Sequence, residues 1–230
     1  MTLTRRSSMT WLACLVAVAA GATLILTLQL VPPTDAISAT RRTISEYALS
    51  EAKWVFDVAV GLIALGSVAG FATLRLRGAL PAATAVFGTL WTIGLVVIVA
   101  FPKNDWAIGP SASGTVHRFA SVVTFVCLPL AVLFAARAAF PAAPRRRLLA
   151  RLLAVASLGW FGIILGAIAV AAGTGARWWL LIPLGLVERG MALTELLALL
   201  ALVAPVRSPA PLVTPLATHP SKVAAGGTGT

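Results

Sequence analysis

Charge is scarce in this sequence, and acidic charge scarcer still. Charged residues make up 11% of the 230, and only 7 residues are Asp or Glu, against roughly 25% charged in an ordinary soluble domain. Two cysteines, Cys14 and Cys127, both inside apolar runs, exclude a disulfide scaffold and a cysteine-based metal site, since there is no CxxC and no Cys/His cluster. The 2 histidines show neither HxxxH nor HExxH spacing, so no metal is expected. No Gly-x-Ser-x-Gly elbow and no phosphate-binding glycine loop follows a strand pattern, and no cofactor is expected.

What the chain has instead is apolar length. Apolar residues are 59% of the total, which excludes both a typical soluble globule at roughly 45–50% and a disordered chain. The apolar residues gather into six runs near the length of about 20 that a bilayer requires. The runs cover about 10–30, 54–74, 80–101, 116–140, 148–172 and 178–204. The expectation is an all-α membrane protein, a six-transmembrane-helix bundle at 10–204. A short amino terminus, 1–9, precedes it and a Pro-, Ala- and Gly-rich tail, 205–230, read as disordered, follows it. The first run is too long for a signal-peptide core and reads as an uncleaved span.

The net charge is +11, yet the arginines stand in short clusters between apolar runs, so they read as orientation signals and not as a nucleic-acid surface. Arg5, Arg6, Arg75, Arg77, Arg137, Arg145, Arg146, Arg147, Arg151, Arg207 and Lys222 fall on one side, with no acid among them. Arg41, Arg42, Lys53, Lys103, Arg118 and Arg177 fall on the other. The positive-inside rule then places both termini in the cytoplasm and the chain in the plasma membrane, with membrane lipids as partners. Trp54, Trp106, Trp178 and Trp179 sit at the external boundary as an aromatic belt.

Local signals are sparse. Thr43 and Glu46 have the spacing of a capping box, so a short helix is expected to start near Ile44 and run toward the second span. Gly66 with Gly70, and Gly162 with Gly166, are small-xxx-small pairs suited to helix packing within the chain, or to a homo-oligomer. Pro129 removes a backbone donor in the fourth span.

Ionisable groups in lipid need partners. Glu188, Arg189 and Glu195 lie in the sixth run. Counted from Trp179, Glu188 is about 13 Å deep, near the midplane. Glu188 and Glu195 share one helix face. Asp57 can pair with Lys53 one turn away. His117 with Arg118 opens the fourth span, and Ser45 with His117 is a conceivable but unsupported nucleophile and base.

Four fragments follow one another along the chain: Ile44-Ser45-Glu46-Tyr47-Ala48, Phe101-Pro102-Lys103-Asn104-Asp105, Gly114-Thr115-Val116-His117 and Gly185-Leu186-Val187-Glu188-Arg189. In this order the sequence resembles the bacterial membrane proteins grouped as domain of unknown function 998. The resemblance implies a six-helix integral membrane protein without an established activity, and characteristic positions at Ser45, Glu46, Tyr47, Pro102, Asp105, Gly114, His117, Glu188 and Arg189. The sequence and the resemblance together lead us to expect an outward-facing polar pocket formed from Ser45, Glu46, Tyr47, Asp57, Asp105, His117, Arg118, Glu188 and Arg189. Such a pocket would bind or move a lipid headgroup or small polar solute without enzymatic chemistry. The alternatives are a structural or regulatory subunit of a membrane assembly, and a membrane-embedded His/carboxylate enzyme acting on lipid.

Overall fold

A computed structural model describes residues 2–105 and 107–205, with the side chains of 2–4 left aside. Trp106 and the tail from residue 206, expected to be disordered, lie outside the described residues. The described residues form six α-helices: α1 (Thr2–Leu30), α2 (Lys53–Leu76), α3 (Ala82–Ala100), α4 (Ala112–Ala139), α5 (Pro144–Thr174) and α6 (Leu184–Val203), with 3₁₀ turns at Ile44–Leu49 and Trp178–Leu180. The protein is all-helical, and α1 to α5 are long and apolar enough to cross a membrane. Helix α6 has 20 residues, about 30 Å, and differs from them in carrying Glu188, Arg189 and Glu195.

Sequence neighbours pack as pairs, α1 on α2, α3 on α4 and α5 on α6, and α6 touches α1, α2, α4 and α5. That central place explains its charges: side chains on α6 meet protein on most sides, where an ionised group finds dipoles that acyl chains lack. The outward faces are apolar, with Leu65, Val86, Ile93, Leu152 and Val170 all exposed, as lipid contact requires.

Two ends follow from the up-and-down order. One holds the long 31–52 loop, the 101–111 loop and the 175–183 loop, and is called the loop end. At the other, α2 closes on a turn that needs glycine: Gly78 has φ 68°, and its N–H and that of buried Ala79 donate to Arg75 O (3.0 Å) and Leu74 O (2.8 Å). This is a Schellman closure, in which a residue without Cβ takes the left-handed position. Arg77 then donates to Val203 O at 2.7 Å, satisfying the last turn of α6.

Three local expectations are corrected. The Thr43 side chain makes no cap bond, and the helix at Ile44 is a six-residue 3₁₀ turn that ends at Leu49, separate from α2. The sixth helix begins at Leu184 and not at 178, because Pro183 supplies no N–H and the Trp178–Leu180 turn precedes it. The two glycine pairs also part company. A Cβ at Gly66 would stand 2.8 Å from Val18 Cγ2, and one at Gly70 3.1 Å from Cys14 Sγ, so this pair seats α1 on α2. A Cβ at Gly162 or Gly166 would meet nothing within 4 Å, so that pair does not pack helices within the chain.

An expected result follows. Gly66→Ala lowers the thermal midpoint of detergent-extracted protein. Gly162→Ala leaves or raises it, since alanine favours a helix by about 1 kcal/mol where nothing obstructs it. Equal losses in both would contradict the packing described.

Candidate functional site

The loop end is organised by reciprocal capping between segments far apart in sequence. Helix α6 starts with free backbone N–H groups, as every helix does. Those of Gly185 and Leu186 donate to the loop carbonyl of Thr40 at 3.0 and 3.3 Å. In return the Glu188 carboxylate accepts the N–H of Ile44 at 2.8 Å, at the start of the 3₁₀ turn. The carboxylate that caps this turn therefore comes from α6, 144 residues away, and the Thr43–Glu46 box suggested by the local spacing does not form.

Arg189 completes the attachment. Its Nη1 donates to Ala39 O (2.9 Å), Arg42 O (2.8 Å) and Gly185 O (3.1 Å). Its Nη2 donates to Gln29 Oε1 (2.7 Å) and Tyr47 Oη (3.0 Å). Tyr47, the chain's only tyrosine, is fully buried and donates to the same Gln29 oxygen at 2.7 Å. The guanidinium carbon lies 5.9 Å from its ring centroid, within cation–π range. Gly185 is the close-approach point: a Cβ there would sit 2.6 Å from Ala39 O and would also collide with Arg42 O.

A second assembly stands beside the first. Asn104 is buried and its Oδ1 accepts from Ser111 N at 2.8 Å. Ser111 Oγ caps α4 by accepting from Gly114 N at 3.0 Å. Gly114 lies against Asn104, and any Cβ there would collide with that side chain. His117 is buried and its Nδ1 is bonded to Phe101 O at 2.8 Å, which fixes the 101–111 loop to α4. Lys103 joins the two assemblies, donating to Thr43 Oγ1 at 3.0 Å and pairing with Glu46. Glu46 also pairs with Arg42 at 3.3 Å.

The four sequence fragments thus associate two by two, 44–48 with 185–189 and 101–105 with 114–117. Glu46, Tyr47, Glu188 and Arg189 come together. Ser45 is adjacent, bonded to Thr43 Oγ1 at 3.2 Å. The others stand apart. Asp57 pairs with Lys53 at 2.5 Å. Asp105 accepts from Ala107 N at 2.9 Å within its own loop. Arg118 is exposed, and neither ring nitrogen of His117 is bonded to Ser45. Glu188 sits four residues into α6, about 6 Å from the helix start. Glu195 is buried elsewhere on the helix, its Oε1 accepting from Ser157 Oγ at 3.2 Å and its Oε2 unpartnered.

Gln29 and Lys103 were not singled out by sequence. Gln29 is the only glutamine in the chain, a lone amide at the end of an apolar run, and that singularity was the available signal. Among the described residues, no group of three or more His, Cys, Asp and Glu side chains is placed to hold a metal ion.

This architecture agrees with the comparison of the sequence to known families: residues 11–205 match the family described as Protein of unknown function (DUF998). The chain belongs to that family. No curated protein and no solved structure matches it. The DUF998 match covers all six helices apart from the first turns of α1, so both loop assemblies fall inside the family's extent.

Proposed function

We propose that this DUF998 protein is a non-enzymatic membrane protein of six spans, both termini cytoplasmic, that binds or moves a lipid headgroup or small polar solute at its loop end. The excess of arginine at the opposite end supports the orientation, and the central place of α6 supports counting it as a span. Plasma-membrane residence belongs to the same proposal.

One observation carries the binding reading. Glu188 and Arg189 are neighbouring opposite charges, yet neither has an ion-pair partner among the described residues. Both are held by neutral dipoles, chiefly of one loop. An opposite charge adds a Coulombic attraction that a neutral dipole does not supply, and it is larger away from bulk water. A headgroup anion would replace the loop carbonyls at Arg189, and an ammonium would replace the Ile44 N–H at Glu188. The 31–52 loop is then a lid, and its release exposes the pair. The separation of Ser45 from His117 supports a non-enzymatic role.

A second reading is favoured by a different fact: Arg189 already has five acceptors in the protein, as a purely structural latch within a larger assembly would. Native mass spectrometry of gently extracted protein separates the two. The binding reading expects a co-purifying polar lipid or solute on wild type that Glu188→Gln loses. If Glu188→Gln lowers the melting midpoint while the bound species are unchanged, the latch reading stands and binding at this pair is contradicted.

A further inference from the structure

The end opposite the loops carries a separate feature. An open cleft of about 580 Å³ lies between the start of α3, the end of α4 and the start of α5, lined by Pro81, Phe134, Arg137, Ala138, Pro141 and Arg147. Its volume falls within the range of about 300–1,000 Å³ that small-molecule sites occupy. The lining divides in two. Phe134, half exposed at 51%, stacks on Phe87 with ring centroids 5.7 Å apart and, with the two prolines and Ala138, makes an apolar wall. Arg137 and Arg147 supply the charge.

These two arginines differ from their neighbours. Arg77 and Arg146 spend donors on the carbonyls of Val203 and Pro205, at 2.7 and 2.6 Å, holding the exit of α6. The guanidinium groups of Arg137 and Arg147 have no hydrogen bond or ion pair among the described residues. No Asp or Glu side chain among the described residues is within reach to supply one. The seven acidic residues are Asp35, Glu46, Glu51, Asp57, Asp105, Glu188 and Glu195; six belong to the loop end and Glu195 is buried in the bundle. Two unpaired guanidiniums above an apolar wall, at the edge of the lipid-facing surface, match a phosphate with acyl chains attached. Guanidinium forks suit phosphate oxygens, and basic pockets between spans recognise anionic headgroups.

We propose that the α3/α4/α5 cleft is a binding site for an anionic phospholipid, with Arg137 and Arg147 on the headgroup phosphate and Phe134 against the chain. The site is independent of the loop end and stands or falls apart from the role given to Glu188.

Full-length protein in detergent is titrated with phosphatidylglycerol, with phosphatidylcholine of the same chains, and with inorganic phosphate, and bound lipid is read by native mass spectrometry. If each arginine near the surface contributes about fivefold, Arg137→Gln with Arg147→Gln weakens phosphatidylglycerol binding about twenty-five-fold. The control pair Arg6→Gln with Arg75→Gln, at the same end but outside the cleft, changes it less than about threefold. Circular dichroism melting of both pairs confirms folding. A variant pair that fails to fold is replaced by Phe134→Ala, expected to weaken phosphatidylglycerol binding alone. Three outcomes overturn the proposal: equal loss in both arginine pairs, phosphatidylcholine binding as tightly as phosphatidylglycerol, or displacement of the lipid by millimolar inorganic phosphate.

Discussion

Replacing Arg189 by glutamine is expected to lower the stability of the extracted protein by on the order of 3 kcal/mol. The guanidinium serves Ala39 O, Arg42 O, Gly185 O, Gln29 and Tyr47 at once. Hydrogen bonds to a charged group contribute about 1.5–3 kcal/mol each, and acceptors stripped of their donor keep the desolvation penalty. Some of that loss is recovered where water enters the opened loop, which is why the expected figure stays below the sum. Lysine is not a remedy, because an ammonium lacks the planar fork that reaches a backbone pair and a side-chain pair from one position. Thermal unfolding of wild type, Arg189→Gln and Arg189→Lys checks this. Variants within about 0.5 kcal/mol of wild type, the scale of a surface change, would contradict the assigned role.

Gly185→Ala comes second in expected size, and it acts through the same contact by a different route. The added Cβ would stand 2.6 Å from Ala39 O and collide with Arg42 O, both backbone atoms that cannot rotate away. Overpacking of this kind costs about 1–3 kcal/mol, and here the loop has one way to relieve it, by lifting off α6. Lifting removes the two carbonyls from Arg189. The double variant Gly185→Ala with Arg189→Gln should therefore be less destabilised than the sum of the single variants, because the second change breaks what the first has already released. Strict additivity in a double-mutant cycle would mean that the glycine and the arginine act on separate structures.

The sequence declared the helices and concealed how the ends are closed. Apolar runs of bilayer length place α2 to α5 to within a few residues, because lipid imposes one rule on every span; α1 ends where expected but starts eight residues earlier, at Thr2. Glycine pairs were less informative: Gly66-Gly70 and Gly162-Gly166 look alike as letters, and only the arrangement of helices decides that one meets Val18 and Cys14 while the other meets nothing. The capping box at Thr43 and Glu46 misled for a physical reason. That spacing would place the Glu46 carboxylate on the N–H of Thr43, but Glu46 is drawn to Lys103 and Arg42, and the orphan N–H of Ile44 is met by Glu188 from α6. A pairing across 144 residues has no signature in a single sequence. The charged residues of α6 were readable as a cluster in need of partners; that the partners are loop dipoles, with Gln29 and Tyr47, was not.

The central claim is that Glu188 and Arg189 hold the 31–52 loop onto the start of α6. Residue-resolved hydrogen exchange on the protein in lipid nanodiscs tests it most directly. In wild type the Ile44 amide, bonded to Glu188, should be protected well above its exposed loop neighbours. Glu188→Gln with Arg189→Gln should bring Ile44, Gly185 and Leu186 to loop-like exchange while amides in the middle of α2 and α4 keep their wild-type rates. Unchanged protection at Ile44 in that variant would contradict the account.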